Sequence, residues 1–324
     1  MEQLKSELRK KDFKRLYLIH GDERFLMAHY ALEITKAMKE LAIPDTFEDV
    51  SPVADIIMTA DSLPFFGERR LIYVRNSKLF TTGRKSDSEA MAEYLPKIPQ
   101  ETTIVFVESE IDKRSRLYKK ANEIGFIIDC KSLTGQALSK WVSYLAKQRS
   151  KTIDQTTINK LFQVVGTNMA TINQEMEKLF HYSGKNTNIT PADIDEICTP
   201  TLEARIFELT KALATGKATE ALAHYRNMQI LKEPPIKILT MIIRQFRIML
   251  IAKEGIITRT PSQISKEFGI HEFSVNEAVG QSRRFTTEKL ISILYKCQDV
   301  DTRIKSGLID AELGVEMLII QLLF

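Results

Sequence analysis

The stretch Leu16-Tyr17-Leu18-Ile19-His20-Gly21-Asp22-Glu23-Arg24-Phe25-Leu26 decides how the first third of this chain is read. Its apolar start makes a short strand, Gly21 permits a tight turn, and the residues from Phe25 begin a helix. Phosphate-binding enzymes carry G-x-x-x-x-G-K-[ST] at this strand–loop–helix position. Its glycines let backbone N–H groups cradle phosphates, its lysine reaches the terminal phosphates, and its hydroxyl holds magnesium. Here one glycine is followed by two carboxylates and an arginine. Such a turn is expected to repel phosphate. The scaffold is that of a nucleotide motor without the chemistry, which points to a protein that works by holding partners.

Around this stretch, residues 1–131 alternate strand and helix patterns. Apolar, β-branched or aromatic runs at 16–19, 71–74, 104–108 and 126–129 predict strands. Helical periodicity at 25–41, 53–61, 88–95 and 114–124 lies between them. Short buried runs separated by amphipathic helices predict an α/β domain with a mostly parallel sheet covered on both faces. Residues 80–88, rich in Thr, Gly, Lys and Ser, read as a surface loop.

Strand signals stop at Ser132. Hydroxyls in residues 132–136 are placed to cap a helix over 137–148. Further helices are predicted over 154–165, 168–182 (Met169, Ile172, Met176, Leu179 and Phe180 at helical spacing) and 192–197. Thr199-Pro200-Thr201 then breaks the chain. From 202 to 324 every segment is helical, punctuated by Gly216, Glu233-Pro234, Gly255, Gly269 and Gly307. The expected organisation is an α/β domain over 1–131 and two all-α domains over 132–201 and 202–324.

The 324 residues, 44% apolar and 27% charged, suit a soluble protein of two or three domains. A net charge of +4 permits an acidic partner without demanding one. Three cysteines far apart fit neither a disulfide framework nor a metal knuckle. The charged N-terminus is no signal peptide, and no apolar run is long enough to span a bilayer. A reduced, cytoplasmic protein is expected.

No catalytic constellation emerges. The five histidines show no H-E-x-x-H spacing, and G-x-S-x-G is absent. Paired carboxylates such as Asp22 with Glu23, or Glu108 with Glu110, are expected to be solvated and not metal ligands, because neighbouring side chains diverge. Leu63-Pro64-Phe65-Phe66-Gly67-Glu68-Arg69-Arg70 carries more information. Pro64 and Gly67 turn the chain where two aromatics stand side by side. The residues alone favour packing beneath the sheet edge over the alternative, an apolar plug for a partner's pocket.

Two cationic stripes follow. Lys289, Lys296 and Arg303 recur every seventh residue, with a drift of about 20° per heptad on a helix. Lys237, Arg244 and Arg247 share an arc of another helix. Either could track phosphates, although a solvated helix face explains them as well. Residues 262–284 look like a helix-turn-helix with a corner at Gly269. A base-reading role would rest on Ser274, Asn276, Glu277 and Gln281, with Glu272 and Glu277 facing phosphate badly.

These residues together resemble the delta subunit family of the bacterial DNA polymerase III clamp loader. Tyr17-Leu18-Ile19-His20-Gly21-Asp22-Glu23-Arg24-Phe25-Leu26 is close to its opening Y-L-x-x-G-x-[DE]-x-[FY]-L. Ser62-Leu63-Pro64-Phe65-Phe66-Gly67-Glu68-Arg69-Arg70-Leu71 and Ile304-Lys305-Ser306-Gly307 follow in the family's order. The resemblance implies a RecA-like AAA+ module without a P-loop, a helical lid and a helical collar, in that order. It implies no cofactor and no nucleotide hydrolysis, hence a non-catalytic subunit of the holoenzyme. Implied partners are the sliding clamp (beta subunit), the gamma/tau motor subunits, delta prime and primed DNA, with no membrane. The implied clamp-binding plug is Phe65 and Phe66, flanked by Leu63 and Pro64, and it favours ring opening. Lys237, Arg244, Lys289 and Lys296 are the expected DNA-steering positions. The rival functions are a helix-turn-helix DNA-binding regulator and a nucleotide-hydrolysing AAA+ enzyme.

Overall fold

Leu16, Tyr17, Leu18 and Ile19 are all fully buried, as a central parallel strand covered on both faces must be. In the computed structural model, which describes residues 2–64 and 67–323, they belong to β1 (Leu16–Gly21). The chain forms two units, Met1–Ser132 and Leu133–Phe324.

In the first unit, α1 (Glu2–Arg9) precedes β1, followed by α2 (Arg24–Met38), β2 (Pro44–Glu48), α3 (Val53–Asp61) and β3 (Arg70–Arg75). Then come α4 (Lys85–Tyr94), β4 (Thr102–Glu108), α5 (Arg116–Ile124) and β5 (Phe126–Cys130). Among the described residues the strands make one parallel sheet, ordered β2-β3-β4-β1-β5. Leu18 sits in register with Phe106 on one side and Ile127 on the other. On one face Leu16, Leu18, Ile72, Val74, Ile104 and Phe106 pack with Val53 and Ile56 of α3, Met91 of α4 and Leu117 of α5. Tyr17, Ile19 and Tyr73 alternate to the other face. There α2 buries Leu26, Met27, Tyr30, Ile34 and Met38, and the Tyr73 hydroxyl donates to Ala31 O. From β1 the chain crosses to the far edge, walks back to β4, then passes to β5. The carboxyl ends of β1 and its neighbours are therefore the switch point at which such sheets bind ligands.

Three expectations for this unit are corrected. Strand β2 went unread because its residues are half-exposed or exposed and begin with Pro44; it is an edge strand, buried too little to leave an apolar run. Residues 80–88 are not a plain surface loop. Phe80 is fully buried edge-on to Phe106 at 5.2 Å, a single 3-10 turn covers Thr82–Arg84, and α4 begins at Lys85. Arg84 uses the polar composition inwardly, donating to the carbonyls of Ser51 and Ser77, each at 2.9 Å. Glu108 is not solvated. It is 2% exposed and accepts from Ser77 N, Ser77 Oγ and Lys78 N, holding the turn that leaves β3. Burial pushes its carboxyl above the ordinary range, and those donors pull it back.

The second unit begins with α6 (Gly135–Gln148), β6 (Thr152–Ile153), α7 (Gln155–Val165), α8 (Met169–Tyr182), β7 (Asn188–Ile189) and α9 (Pro191–Ile197). It continues with α10 (Leu202–Ala214), α11 (Ala218–Ile230), α12 (Pro235–Gly255), α13 (Pro261–Phe268), α14 (Glu272–Ser282), α15 (Thr287–Lys305) and α16 (Ala311–Leu323). Strand pairing does not stop at Ser132, since β6 and β7 pair in parallel, but two residues each are too few to show a period. Nor does the hydroxyl cap on α6 form: Thr134 occupies the cap position without a side-chain bond. Elsewhere Asp154, Asn168, Thr190, Thr201, Thr260 and Thr286 do cap helices through their side chains. Helix α12 is the axis of the last bundle. Its Ile238, Ile242, Phe246 and Met249 are wholly buried against α10, α14, α15 and α16.

Glu108→Ala would leave the buried Ser77 N–H and hydroxyl and the half-buried Lys78 N–H without their acceptor, costing about 3 kcal/mol. The melting point should fall by about 10 °C in a calorimetric or circular-dichroism melt. An unchanged melt would show that Ser77 and Lys78 find other acceptors.

Candidate functional site

The turn between β1 and α2 stands at the switch point, and its own side chains fill it. Gly21 has φ +143, and a Cβ there would lie 2.1 Å from the Cys130 carbonyl oxygen. The glycine thus lets β1 close onto β5 and leaves no cradle for a phosphate. Glu23 N donates to the same carbonyl at 3.0 Å, and Asp22 Oδ1 accepts from Ser132 N at 2.8 Å. Glu23 caps α2 by accepting from Phe25 N at 3.0 Å. That N–H is among those a helix would offer a bound anion. The position is taken by a carboxylate of the chain itself. Beside it His20, 4% exposed, faces Asp129 at 3.9 Å, and burial lowers its pKa and favours the neutral imidazole. Asp129 is in turn flanked by Lys113 and Lys131.

A second feature is the connection from α3 to β3. Ser62 ends α3, donating from its N to Met58 O and from its Oγ to Thr59 O. Leu63 then stands 87% exposed, next to a half-buried Pro64. Phe65 and Phe66 lie outside the described residues. Gly67 resumes at φ +86, where a Cβ would meet Leu41 O at 2.2 Å, so the chain passes tightly over the end of α2's connection. Arg69 N donates to Leu41 O at 3.1 Å, and its guanidinium reaches Gln100 O at 2.7 Å. Arg70 forks: Nη2 donates to Leu63 O and Nη1 to Asp45 Oδ2, each at 2.9 Å. Met58, on the last turn of α3, adds a second exposed apolar side chain. The loop is thus tied at both ends and holds the Leu63 side chain in solvent, beside the exposed Met58 of α3.

The expected cationic positions do not form one open stripe. Lys237 pairs with Glu233 at 3.1 Å, Arg244 with Glu203 at 2.6 Å, and Lys296 donates to Gln321 O at 3.2 Å. Lys289 and Arg247 are exposed, and Arg303 lies 3.8 Å from Asp299. The helix-turn-helix likeness also fails as a reader of bases. Of Ser274, Asn276, Glu277 and Gln281, only Asn276 is exposed. Gln281 is buried and donates to Phe207 O, Val275 and Ala278 are fully buried, and Phe273 packs edge-on to Phe162. Helix α14 is a wall of the unit.

Sequence reasoning missed two features. The Arg70–Asp45 anchor carries no local signal, because its partners lie on separate elements. The exposed face made by Ile291 and Tyr295 on α15, with Leu313, Met317 and Ile320 on α16, was absorbed into helical periodicity that also serves a core. Its signal was available: both helices are apolar on more than the arc one bundle buries. Among the described residues no group of three or more His, Cys, Asp or Glu is placed to hold a metal, and no helix is long and apolar enough to cross a membrane.

Comparison with known proteins identifies the family. The family model "DNA polymerase III, delta subunit" matches residues 17–131, and "DNA polymerase III delta subunit, C-terminal domain" matches residues 203–322. DNA polymerase III subunit delta of Bacillus subtilis (strain 168) is 29% identical over 334 residues, covering 98% of this chain and 95% of that protein. A probable DNA polymerase III subunit delta of Aquifex aeolicus (strain VF5) is 19% identical over 217 residues, covering 64% and 62%. The solved structure of the Bacillus subtilis DNA clamp loader delta protein superposes with a TM-score of 0.77 at 27% identity, covering 99% of each chain. The first unit is accordingly a RecA-like AAA+ module without a P-loop, and the remainder that follows it is mostly helical. The chain therefore belongs to the family of DNA polymerase III delta subunits, as a clamp-loader delta subunit in DNA replication.

Proposed function

We propose that this protein binds the sliding clamp (the beta subunit) through Leu63, Pro64, Phe65 and Phe66, and favours the clamp's open form so that it can be loaded on primed DNA. The observation that carries the reading is Leu63, held 87% exposed on a loop tied at both ends, with the aromatic pair next in sequence. Apolar contact is worth about 25 cal/mol per Å² buried, so two phenyl rings supply several kcal/mol. Ring opening follows if the plug binds the sprung clamp more tightly than the closed one, because the difference in affinity shifts the population.

In this reading the subunit is non-catalytic and works in the cytoplasm. Its self-capped β1–α2 turn leaves nucleotide chemistry to the gamma/tau motor subunits, whose ATP state controls when the plug is presented. The domains are a clamp-binding module over 1–131, a lid over 132–201 and an oligomerising collar over 202–324. The collar joins the motor subunits and delta prime through apolar surface such as Tyr295 on α15 and Met317 on α16, both exposed. Lys237, Arg244, Lys289 and Lys296 steer primed DNA. Exposed ion pairs contribute only about 0–1 kcal/mol, so phosphate can displace Glu233 and Glu203.

Replacing both Phe65 and Phe66 by alanine should weaken clamp binding by about 100-fold or more, measured by titration calorimetry, with an unchanged melting point. Clamp affinity equal to that of the unaltered protein would refute the plug. Equilibrium dialysis should find no saturable ATP binding with or without magnesium, and a stoichiometric site would restore the nucleotide-hydrolysing alternative. The paired changes Tyr295→Lys and Met317→Lys should weaken assembly with the motor subunits and delta prime by about 10-fold while sparing the clamp. Normal assembly in analytical ultracentrifugation would move the collar contact elsewhere.

A further inference from the structure

Arg70 does more than begin a strand. Its side chain is mostly buried, 12% exposed, and its planar fork bridges the edge strand β2 and the loop that leads into β3. One prong, Nη1, donates to the Asp45 carboxylate on the edge strand β2; the other, Nη2, donates to the carbonyl oxygen of Leu63. Leu63 O is the last carbonyl before Pro64, and the proline ring already confines Leu63 to extended conformations. The carbonyl is thus held by Arg70 while the Leu63 side chain stands out. Four residues further on, Gly67 rests on Leu41 O, and Arg69 N donates to that same oxygen. The stretch of chain between the two anchors is Pro64, Phe65 and Phe66.

We propose that Arg70 is the positioning residue of the clamp-binding loop, a guanidinium strut that ties Leu63 to Asp45 of β2 and so fixes in advance the point from which the loop leaves the body. The inference rests on the clamp-binding reading given above. Binding a mobile segment costs the entropy of ordering it, and a segment ordered in advance avoids that cost. The geometry needs arginine. A planar guanidinium places two N–H donors on separate acceptors at once, whereas a lysine ammonium on a flexible stem acts as a point charge. Asp45 matters because it fixes the strut to the sheet. Without that tether the guanidinium keeps its bond to Leu63 but the pair is free to swing.

The test uses the full chain and its cognate sliding clamp. Arg70→Ala should weaken binding about 10-fold, Arg70→Lys nearly as much, and Asp45→Ala about 3-fold. Hydrogen exchange supplies the local readout: amides at Gly67, Glu68 and Arg69 should exchange faster in Arg70→Ala, while those of β1 and β4 keep their protection. A general loss of stability would speed all of them, and that result overturns the positioning role. Full clamp affinity in Arg70→Ala, with binding abolished by the paired alanines at Phe65 and Phe66, overturns the strut and leaves the plug standing. Full affinity in the paired alanine variant overturns both.

Discussion

Burial of β1 on both faces governs what the first unit can do. A parallel sheet covered by helices hides its faces, so chemistry is left to the carboxyl ends of the strands and to the loops at the edges. In this chain the first location is filled. Gly21 closes on the Cys130 carbonyl, and Glu23 turns back to cap the helix that follows. The second location is the connection from α3 into β3, which emerges beside the edge strand and carries Leu63 into solvent.

Two glycines show one physical device serving opposite ends. Gly21 and Gly67 both have positive φ, and at each a Cβ would fall within 2.2 Å of a backbone carbonyl oxygen. At Gly21 the close approach seals the turn where nucleotide machines open a cradle. At Gly67 it sets the chain against the Leu41 carbonyl shortly before β3 begins. In both places the requirement is absence of a side chain, and neither glycine is there to bind a ligand.

The helical unit is organised by α12, whose buried stripe receives neighbours from several directions. This explains why residues 262–284 imitate a DNA reader. Two helices meeting at Gly269, which is left-handed at φ +63, make a corner that packs against α12, and burial of Gln281 follows from that packing. Apolar side chains that α12 does not cover, on α15 and α16, face outward instead. Such a face suits contact with other chains better than solvation.

The β1, β3 and β4 strands were legible because each is buried on both faces, which forces an apolar run; β5, an edge strand with an exposed Asp129, was legible from Phe126, Ile127 and Ile128 alone. The helices were legible through their period, and those expected over 53–61, 154–165 and 168–182 fall within a residue of where the pattern places them. The opening turn departs from a phosphate-binding loop by residue type alone, with one glycine followed by two carboxylates and an arginine. Edge strand β2 stayed hidden because half-exposed residues need no pattern, and the short β6–β7 pair because two residues show none. What only the tertiary structure decided are relations between distant residues: Glu108 turned inward onto Ser77 and Lys78, Lys237 and Arg244 engaged by carboxylates, and Arg70 bridging Leu63 to Asp45. Periodicity reports which face of an element avoids water. It carries no information about which polar group on another element will come within hydrogen-bonding distance, because that depends on how the packed layers bring separate segments together.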